Sequence, residues 1–301
     1  MTMAEAARPL AEMKPQKEFF VGIDSDGCAF DTMEPKHKEC FCPNFVKWFH
    51  LAAVSKYARE GWDFVNLYSD QRGCNRWHAV VRVLDLLRER PEVIERGMKV
   101  CEAQEIRKFI ASGLPLSNSG LKEYLTKNGS NPELDMAWNW TTGVNKTVGE
   151  IVHHVPPFPH VRESLELIAK VADIVVVSAT PGEALVREWQ EHGIDKYVRV
   201  IAGQEMGTKA EHLKLAASGK YPKEKTLMIG DALGDLKAAR AIEAFFFPVN
   251  PGHEEQSWKL FHTGAFKRFT KGQYAGEYEA KLIEKFREYL PEAAPWEKGR
   301  I

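Results

Sequence analysis

The sequence predicts an α/β protein: a parallel sheet with helices on both faces, interrupted by an inserted all-helical domain. Three observations predict it. Phe19 to Ile23 form an apolar run that ends in Asp24-Ser25-Asp26-Gly27, and a buried parallel strand reads as such a continuous run. From Val161 onward, apolar runs of strand type alternate with helical patterns, which implies a parallel sheet covered on both faces. Between these regions, from Asp31 to about Val155, no segment reads as a strand.

The chain has 301 residues, 44% of them hydrophobic, enough for one large domain or two ordinary ones. A net charge of -1 gives no global attraction to nucleic acid or to an anionic membrane. No apolar run reaches the ~20 residues of a membrane helix. Residues 1–17 lack the charged-then-apolar order of a signal peptide. Cys28, Cys40, Cys42, Cys74 and Cys101 are an odd set without a small-scaffold disulfide pattern. The expectation is a reduced, cytoplasmic protein.

In chain order, residues 1–17 read as a loosely held arm and the first strand runs from about Glu18 to Ile23. Asn44 to Arg59 carries Phe45, Trp48, Phe49, Ala52, Val54 and Tyr57 at helical spacing. Arg76 to Arg90 does the same through Trp77, Val80, Val81, Leu84 and Leu87, and Pro91 stops it. Further helices are expected at Cys101 to Ser112, Ser117 to Lys127 and Pro132 to Val152. Pro156-Pro157-Phe158-Pro159 reads as a stiff connector. Beyond it, strands are expected at Ala172 to Val177, Tyr197 to Ala202, Thr226 to Ile229 and Ala244 to Val249. Helices are expected at Val161 to Val171, from Pro181 to about His192, Lys209 to Ala217 and Leu233 to Ala241. Two more are expected near Glu254 to Phe261 and at Tyr274 to Tyr289. The expected domains are an α/β core of residues 1–31 and 156–301, and a helical domain of residues 32–155. The sequence leaves the oligomeric state open, and also whether Trp296 packs on the core or on a second subunit.

Polar residues gather after the strands, where ligands bind in open α/β sheets. Asp24 and Asp26 are two acids at one strand end, costly to hold together unless a cation or shared proton compensates. An isolated pair of this kind is ordinarily a polar turn, and a calcium loop fails on spacing, since the twelfth residue is Pro35. Ser178-Ala179-Thr180 precedes a helix, which suits a phosphate as well as an ordinary cap. Lys209 opens a helix, where its charge opposes the macrodipole. Asp231 and Asp235 stand four apart, so both can face one point. Four acids, a hydroxyl and a lysine at the ends of one sheet fit phosphoryl transfer. A hard magnesium ion takes oxygen ligands, a carboxylate can accept the phosphoryl group, and a second acid can exchange protons with the leaving oxygen and water.

These four stretches, in this order, resemble the motifs of the haloacid dehalogenase (HAD) superfamily of aspartate-nucleophile phosphotransferases. The resemblance covers the α/β part of the chain. It implies a Rossmann-like, HAD-like core with a helical cap domain inserted after the first motif. It implies Asp24 as nucleophile and Asp26 as general acid/base. Ser178, Ala179 and Lys209 would bind the phosphate, with Lys209 also paired to Asp24. Asp24, the main-chain carbonyl of Asp26, and Asp231 would hold Mg2+, with Asp235 as a ligand or an orienter of ligands. The family's dehalogenases and phosphonoacetaldehyde hydrolases lack the second acid, so Asp26 favours chemistry on phosphate esters. The expected function is a magnesium-dependent phosphatase of a small phosphorylated metabolite, a sugar phosphate among the candidates. Two rivals are a phosphomutase and a non-catalytic protein that binds phosphometabolites. Neither a nucleic acid nor a membrane is expected as partner.

Arg72-Gly73-Cys74-Asn75-Arg76 resembles the cap loop of the β-phosphoglucomutase group, which makes Arg72, Asn75 and Arg76 candidate contacts to the substrate's far end. An Arg fork suits an anionic group, although a solvated helix start has the same composition. Thr32 matches the mutase pattern, but Lys36 stands where that group has histidine. His37, Cys40, Cys42 and His50 have the ligand types of a zinc site, whereas Cys40 and Cys42 read ordinarily as small packed residues. The tryptophans of the helical region, at helical spacing, are expected mostly in its core.

Overall fold

The computed structural model describes residues 2–297. The chain divides into two compact units, Met1–Thr32 with His154–Leu290, and Met33–His153 with Pro291–Ile301.

The first unit is built on five parallel strands: β1 (Phe19–Ile23), β2 (Ala172–Val177), β3 (Val200–Ala202), β4 (Thr226–Gly230) and β5 (Phe245–Pro248). Their order is β3-β2-β1-β4-β5. Ile23 lies beside Val176 of β2 and Ile229 of β4, so three strands end at nearly one level. The chain lays β2 and β3 on one side of β1 and then crosses to lay β4 and β5 on the other. The order therefore reverses between β1 and β4, where such sheets open a crevice at the strands' carboxyl ends. Alternate residues bury on opposite faces. Val21, Ile23, Val176 and Phe247 pack with Trp189 and Trp258, while Phe20, Val175, Val177 and Phe246 pack with Leu213 and Phe286. β3 is shorter than expected because Asp195–Tyr197 form a 3-10 turn before it.

The N-terminal arm is not loosely held. It forms helices Met3–Ala6 and Arg8–Glu12, and Leu10 is fully buried. Lys220 Nζ donates to the carbonyls of Leu10 and Ala11, and the amides of Gln16 and Lys17 donate to Asp173. Its Ala-rich, mixed-charge composition misleads, because partners distant in sequence satisfy its backbone.

The second unit is helical. Its longer helices are Cys42–Trp48, Ser55–Leu67, Arg76–Glu89, Gln104–Ala111, Asn118–Asn128 and Pro132–Ile151. The helix expected over 44–59 is broken into pieces. His50 takes a φ of 57°, a left-handed conformation that a right-handed helix cannot continue through. The chain restarts at Ser55 and keeps its helix to Leu67. The apolar spacing survives the break because both pieces bury into one core. Trp140 stands edge-on to Trp62 and Trp77, at 5.9 and 5.6 Å between ring centres, a favoured aromatic arrangement.

The stretch from Pro291 groups with this helical unit, whereas the sequence assigns all of 156–301 to the core. Ala294 is fully buried in the helical unit, and Trp296 meets Phe64 edge-on. The Arg90 guanidinium lies over the rings of Tyr57 and Trp296 at 4.5 and 4.4 Å, close enough for cation–π attraction. Among the described residues no helix is long and apolar enough to cross a membrane. All five cysteines are free thiols.

Candidate active site

The site forms where four segments of the α/β unit end together. β1 delivers Asp24, whose amide still bonds to the Ile229 carbonyl of β4 at 3.0 Å. Asp24 is 5% exposed. Its Oδ1 accepts from the Ser25 amide at 2.8 Å and its Oδ2 from Lys209 Nζ at 2.7 Å. The chain then turns at Gly27, whose φ is 74°, a conformation that costs glycine little. Asp26 is half-buried and accepts from two hydroxyls: Thr32 Oγ1 on one oxygen and Thr180 Oγ1, at 2.7 Å, on the other.

β2 leads into Ser178, which is buried, and Ala179, which is exposed. Ser178 Oγ accepts from the Thr180 amide at 3.1 Å. The helix Gly182–Glu191 follows.

Lys209 opens the helix Lys209–Ala217, and a capping box of Thr208 with Glu211 fixes where that helix begins. Its ammonium bridges Asp24 and Asp235, at 2.7 and 2.6 Å. Burial alone would lower the lysine's pKa, but the facing carboxylates of Asp235, Asp24 and Asp231 outweigh that and raise it. Those carboxylates also offset the opposing macrodipole of the helix start.

β4 delivers Asp231, buried, and one turn later Asp235, with no exposed surface. Asp231 does not cap the helix Leu233–Ala241, whose N-cap position is Ala232. Asp235 takes that task, its Oδ2 accepting from the amides of Asp231 and Ala232 at 3.1 and 3.0 Å. The turn requires glycine before it, since a Cβ on Gly230 would lie 2.4 Å from the Asp235 Cβ.

Asp24, Asp231 and Asp235 each present a carboxylate oxygen within 4.8 Å of the others. Burial pushes the Asp24 carboxyl well above its usual range. Lys209 opposes this shift, while Asp235 and Asp231 reinforce it. Three carboxylates facing one ammonium carry surplus negative charge. An all-oxygen donor set of this charge fits a hard divalent cation such as Mg2+. It does not fit the soft ligand preference of zinc or copper.

His37, Cys40, Cys42 and His50 do not form such a group. Among the described residues, only the acidic trio brings three ligand atoms together. His37 Nδ1 accepts from Trp62 Nε1, and its ring stacks on Phe41. Burial pushes the thiols of Cys40 and Cys42 up to about 11 and about 12, so both stay protonated.

In the helical unit, Asn75 caps the helix Arg76–Glu89, its Oδ1 accepting from the Trp77 amide and its Nδ2 donating to the Leu116 carbonyl. Arg72 is buried and donates to the Leu67 carbonyl at 2.9 Å. Arg76 lies over the Phe41 ring and donates to Thr141 Oγ1 and Asn145 Oδ1 at 3.0 and 2.9 Å. Both of these acceptors are neutral oxygens, and burial lowers its pKa to about 10.

Sequence reasoning missed the supports of the two catalytic candidates. The sequence reads Thr180 with Ser178 for phosphate or for an ordinary cap, yet its hydroxyl holds Asp26. Ser25 carries no reading of its own in the sequence, yet it bonds to Glu188 and Trp189. No local signal marks either contact, because the partners lie more than 150 residues apart.

The sequence model of haloacid dehalogenase-like hydrolases matches residues 92–249, more than half of the chain. That match begins after β1, so Asp24 and Asp26 join the site by geometry. No curated protein matches. Solved structures similar to this chain include a candidate phosphoglycolate phosphatase of Lactobacillus delbrueckii subsp. bulgaricus. It shares 17% identity over 82% of this chain and 92% of its own, with a TM-score of 0.48. A β-phosphoglucomutase of Clostridium difficile shares 14% identity over 88% and 98%, with a TM-score of 0.46. A HAD-hydrolase of Bacillus subtilis, solved bound to magnesium, shares 12% over 77% and 86%, with a TM-score of 0.38. With its parallel α/β core and the match of that sequence model, the chain belongs to the haloacid dehalogenase-like hydrolases.

Proposed function

We propose that this protein is a magnesium-dependent phosphatase of a small phosphorylated metabolite, working through a phosphorylated Asp24. The observation that carries the reading is the bridge from Lys209 Nζ to Asp24 and Asp235, with Asp231 beside them. A buried carboxylate fixed by an ammonium and its own neighbour's amide is an oriented nucleophile. Asp24 and Asp231 would hold the cation together with the Asp26 carbonyl. Asp235, whose oxygens already serve Lys209 and two amides, orients the set. The bound cation supplies charge neutralisation between the carboxylates and the phosphate.

In the first half-reaction an Asp24 oxygen forms a bond to phosphorus and the ester P–O bond breaks. The leaving alkoxide takes a proton from Asp26. In the second, Asp26 takes a proton from water, the water oxygen bonds to phosphorus, and the bond to Asp24 breaks to release inorganic phosphate. Both Asp26 oxygens accept hydroxyl bonds, so one bond opens when the acid reaches the substrate. The Ser178 hydroxyl, the Ala179 amide and Lys209 are the phosphate's donors. Of the three helical-unit candidates, Arg76 best suits an anionic group of the substrate. Arg72 and Asn75 already bond to backbone groups, whereas neutral oxygens hold the Arg76 guanidinium.

The test is phosphate release from a panel of phosphorylated metabolites, with and without magnesium, alongside Asp24→Asn. Magnesium-dependent release that the variant loses is expected, and Arg76→Ala is expected to raise KM for the best substrate. Full turnover in Asp24→Asn overturns the nucleophile, and isomerised product without free phosphate replaces the phosphatase with a mutase.

A further inference from the structure

Ser25 stands between the two catalytic candidates and faces away from them into the protein, with no exposed surface. A hydroxyl buried this way is costly unless both its donor and acceptor sides are used. Here they are used. Trp189 Nε1 donates to Ser25 Oγ at 3.0 Å, and Ser25 Oγ donates to Glu188 Oε2 at 3.2 Å. Trp189 is itself fully buried and packs edge-on against Phe30 at 5.7 Å.

The main chain of Ser25 is the hub of the loop. Its amide fixes Asp24 Oδ1. Its carbonyl accepts from the amides of Ala29 and Phe30 at 2.9 and 3.0 Å, and from Cys28 at 3.3 Å. The turn that carries Asp26 is therefore closed on Ser25. The indole N–H and the Glu188 carboxylate both come from the helix Gly182–Glu191, which only Pro181 separates from Ser178, Ala179 and Thr180. One helix thus supports the phosphate-binding stretch at its first turn and the acid loop at its last.

We propose that Trp189, acting through Ser25, is a positioning residue that sets the Asp24–Asp26 pair. The inference rests on the phosphatase reading for its kinetic consequence but not for its structural one. Two variants remove the link: Trp189→Phe takes away the N–H together with part of the indole, and Ser25→Ala takes away the hydroxyl.

Two readouts decide it. In hydrogen exchange, Trp189→Phe is expected to make the amides of Ala29 and Phe30 exchange about tenfold faster, with β1 unchanged. With p-nitrophenyl phosphate and magnesium, kcat is expected to fall about tenfold at unchanged KM. Ser25→Ala is expected to do the same, and the double variant no more, because the two changes break one link. A residue of purely structural importance would lower the melting temperature without this split or this non-additivity. Unchanged exchange at residues 28–30 overturns the proposal. So does unchanged kcat in Trp189→Phe, provided the wild type turns over and Asp24→Asn does not. If wild type and Asp24→Asn behave alike, the phosphatase reading fails instead, and the exchange result alone decides for or against Trp189.

Discussion

Asp24 and Asp173 are both buried carboxylates of neighbouring strands, and the sheet treats them in opposite ways. Asp173, beside Phe20 in the register, lies near the amino end of β2. Its Oδ2 accepts from Tyr221 Oη and the amides of Gln16 and Lys17, at 2.7, 2.7 and 2.9 Å, and its Oδ1 from Arg199 at 2.6 Å. Burial alone would raise its pKa, but these bonds outweigh it and hold the group below its ordinary value. Asp24, at the carboxyl end of β1, shares one ammonium with other acids, and its pKa is driven up. A structural carboxylate is saturated with donors. An acid cluster with too few donors needs a cation or a shared proton to offset its charge, which is how a binding site differs from a fastening.

The largest expected break between them is Asp24→Asn. Turnover should fall at least about a thousandfold, as when a nucleophile is removed. The metal-free fold should be no less stable, because one charge leaves a crowded cluster and Lys209 keeps Asp235. Urea denaturation without metal checks the second half. A clear loss of stability there would make Asp24 a fastening like its neighbour. Asp173→Ala should behave inversely. It strands Arg199, the Tyr221 hydroxyl and two amides, at a cost of about 3 kcal/mol. Turnover per folded molecule should stay within about twofold of wild type, since the sheet separates the two ends. Parallel loss of turnover would show that the two ends are coupled.

A finer test falls on Asp26. Thr180→Val removes one of the hydroxyls that hold it and keeps the side chain's shape. An expected drop of about tenfold in kcat, with KM little changed, follows from misplacing an acid that must reach the leaving oxygen. An increase in KM alone would assign Thr180 to phosphate binding instead.

The same contrast explains what was legible in the sequence. β1, β2 and β4 could be read because a strand buried on both faces must be a continuous apolar run. Asp24, Ser178 and Asp231 could be placed at the carboxyl ends of their strands because each follows such a run directly. Asp173 sits inside the run Ala172–Val177 and looks like an irregularity. Its partners come from positions 16, 17, 199 and 221, and no local pattern predicts that convergence. The arm and the Trp296 stretch escaped for the same reason, since each is fixed by packing on distant segments. The break at His50 escaped because apolar spacing reports which side of a segment is buried, not whether its backbone is continuous.

His212 offers the smallest effect and a third way of burying an ionisable group. It lies one turn beyond Lys209 in the same helix and has no exposed surface. Burial lowers its pKa from 6.5 to about 4. Glu211 opposes that shift, while Lys209 adds to it. The folded imidazole is therefore neutral at pH 6, where the unfolded one is mostly protonated. Between pH 6.5 and 4 the unfolded chain binds a proton that the folded chain does not, so stability is full above this window and falls as pH drops through it. From pH 7 to pH 6 the contribution is about 0.7 kcal/mol. His212→Gln should remove that part of the pH dependence in urea titrations, whatever it does to stability at pH 7. An unchanged slope would mean that His212 takes up its proton in the folded protein too.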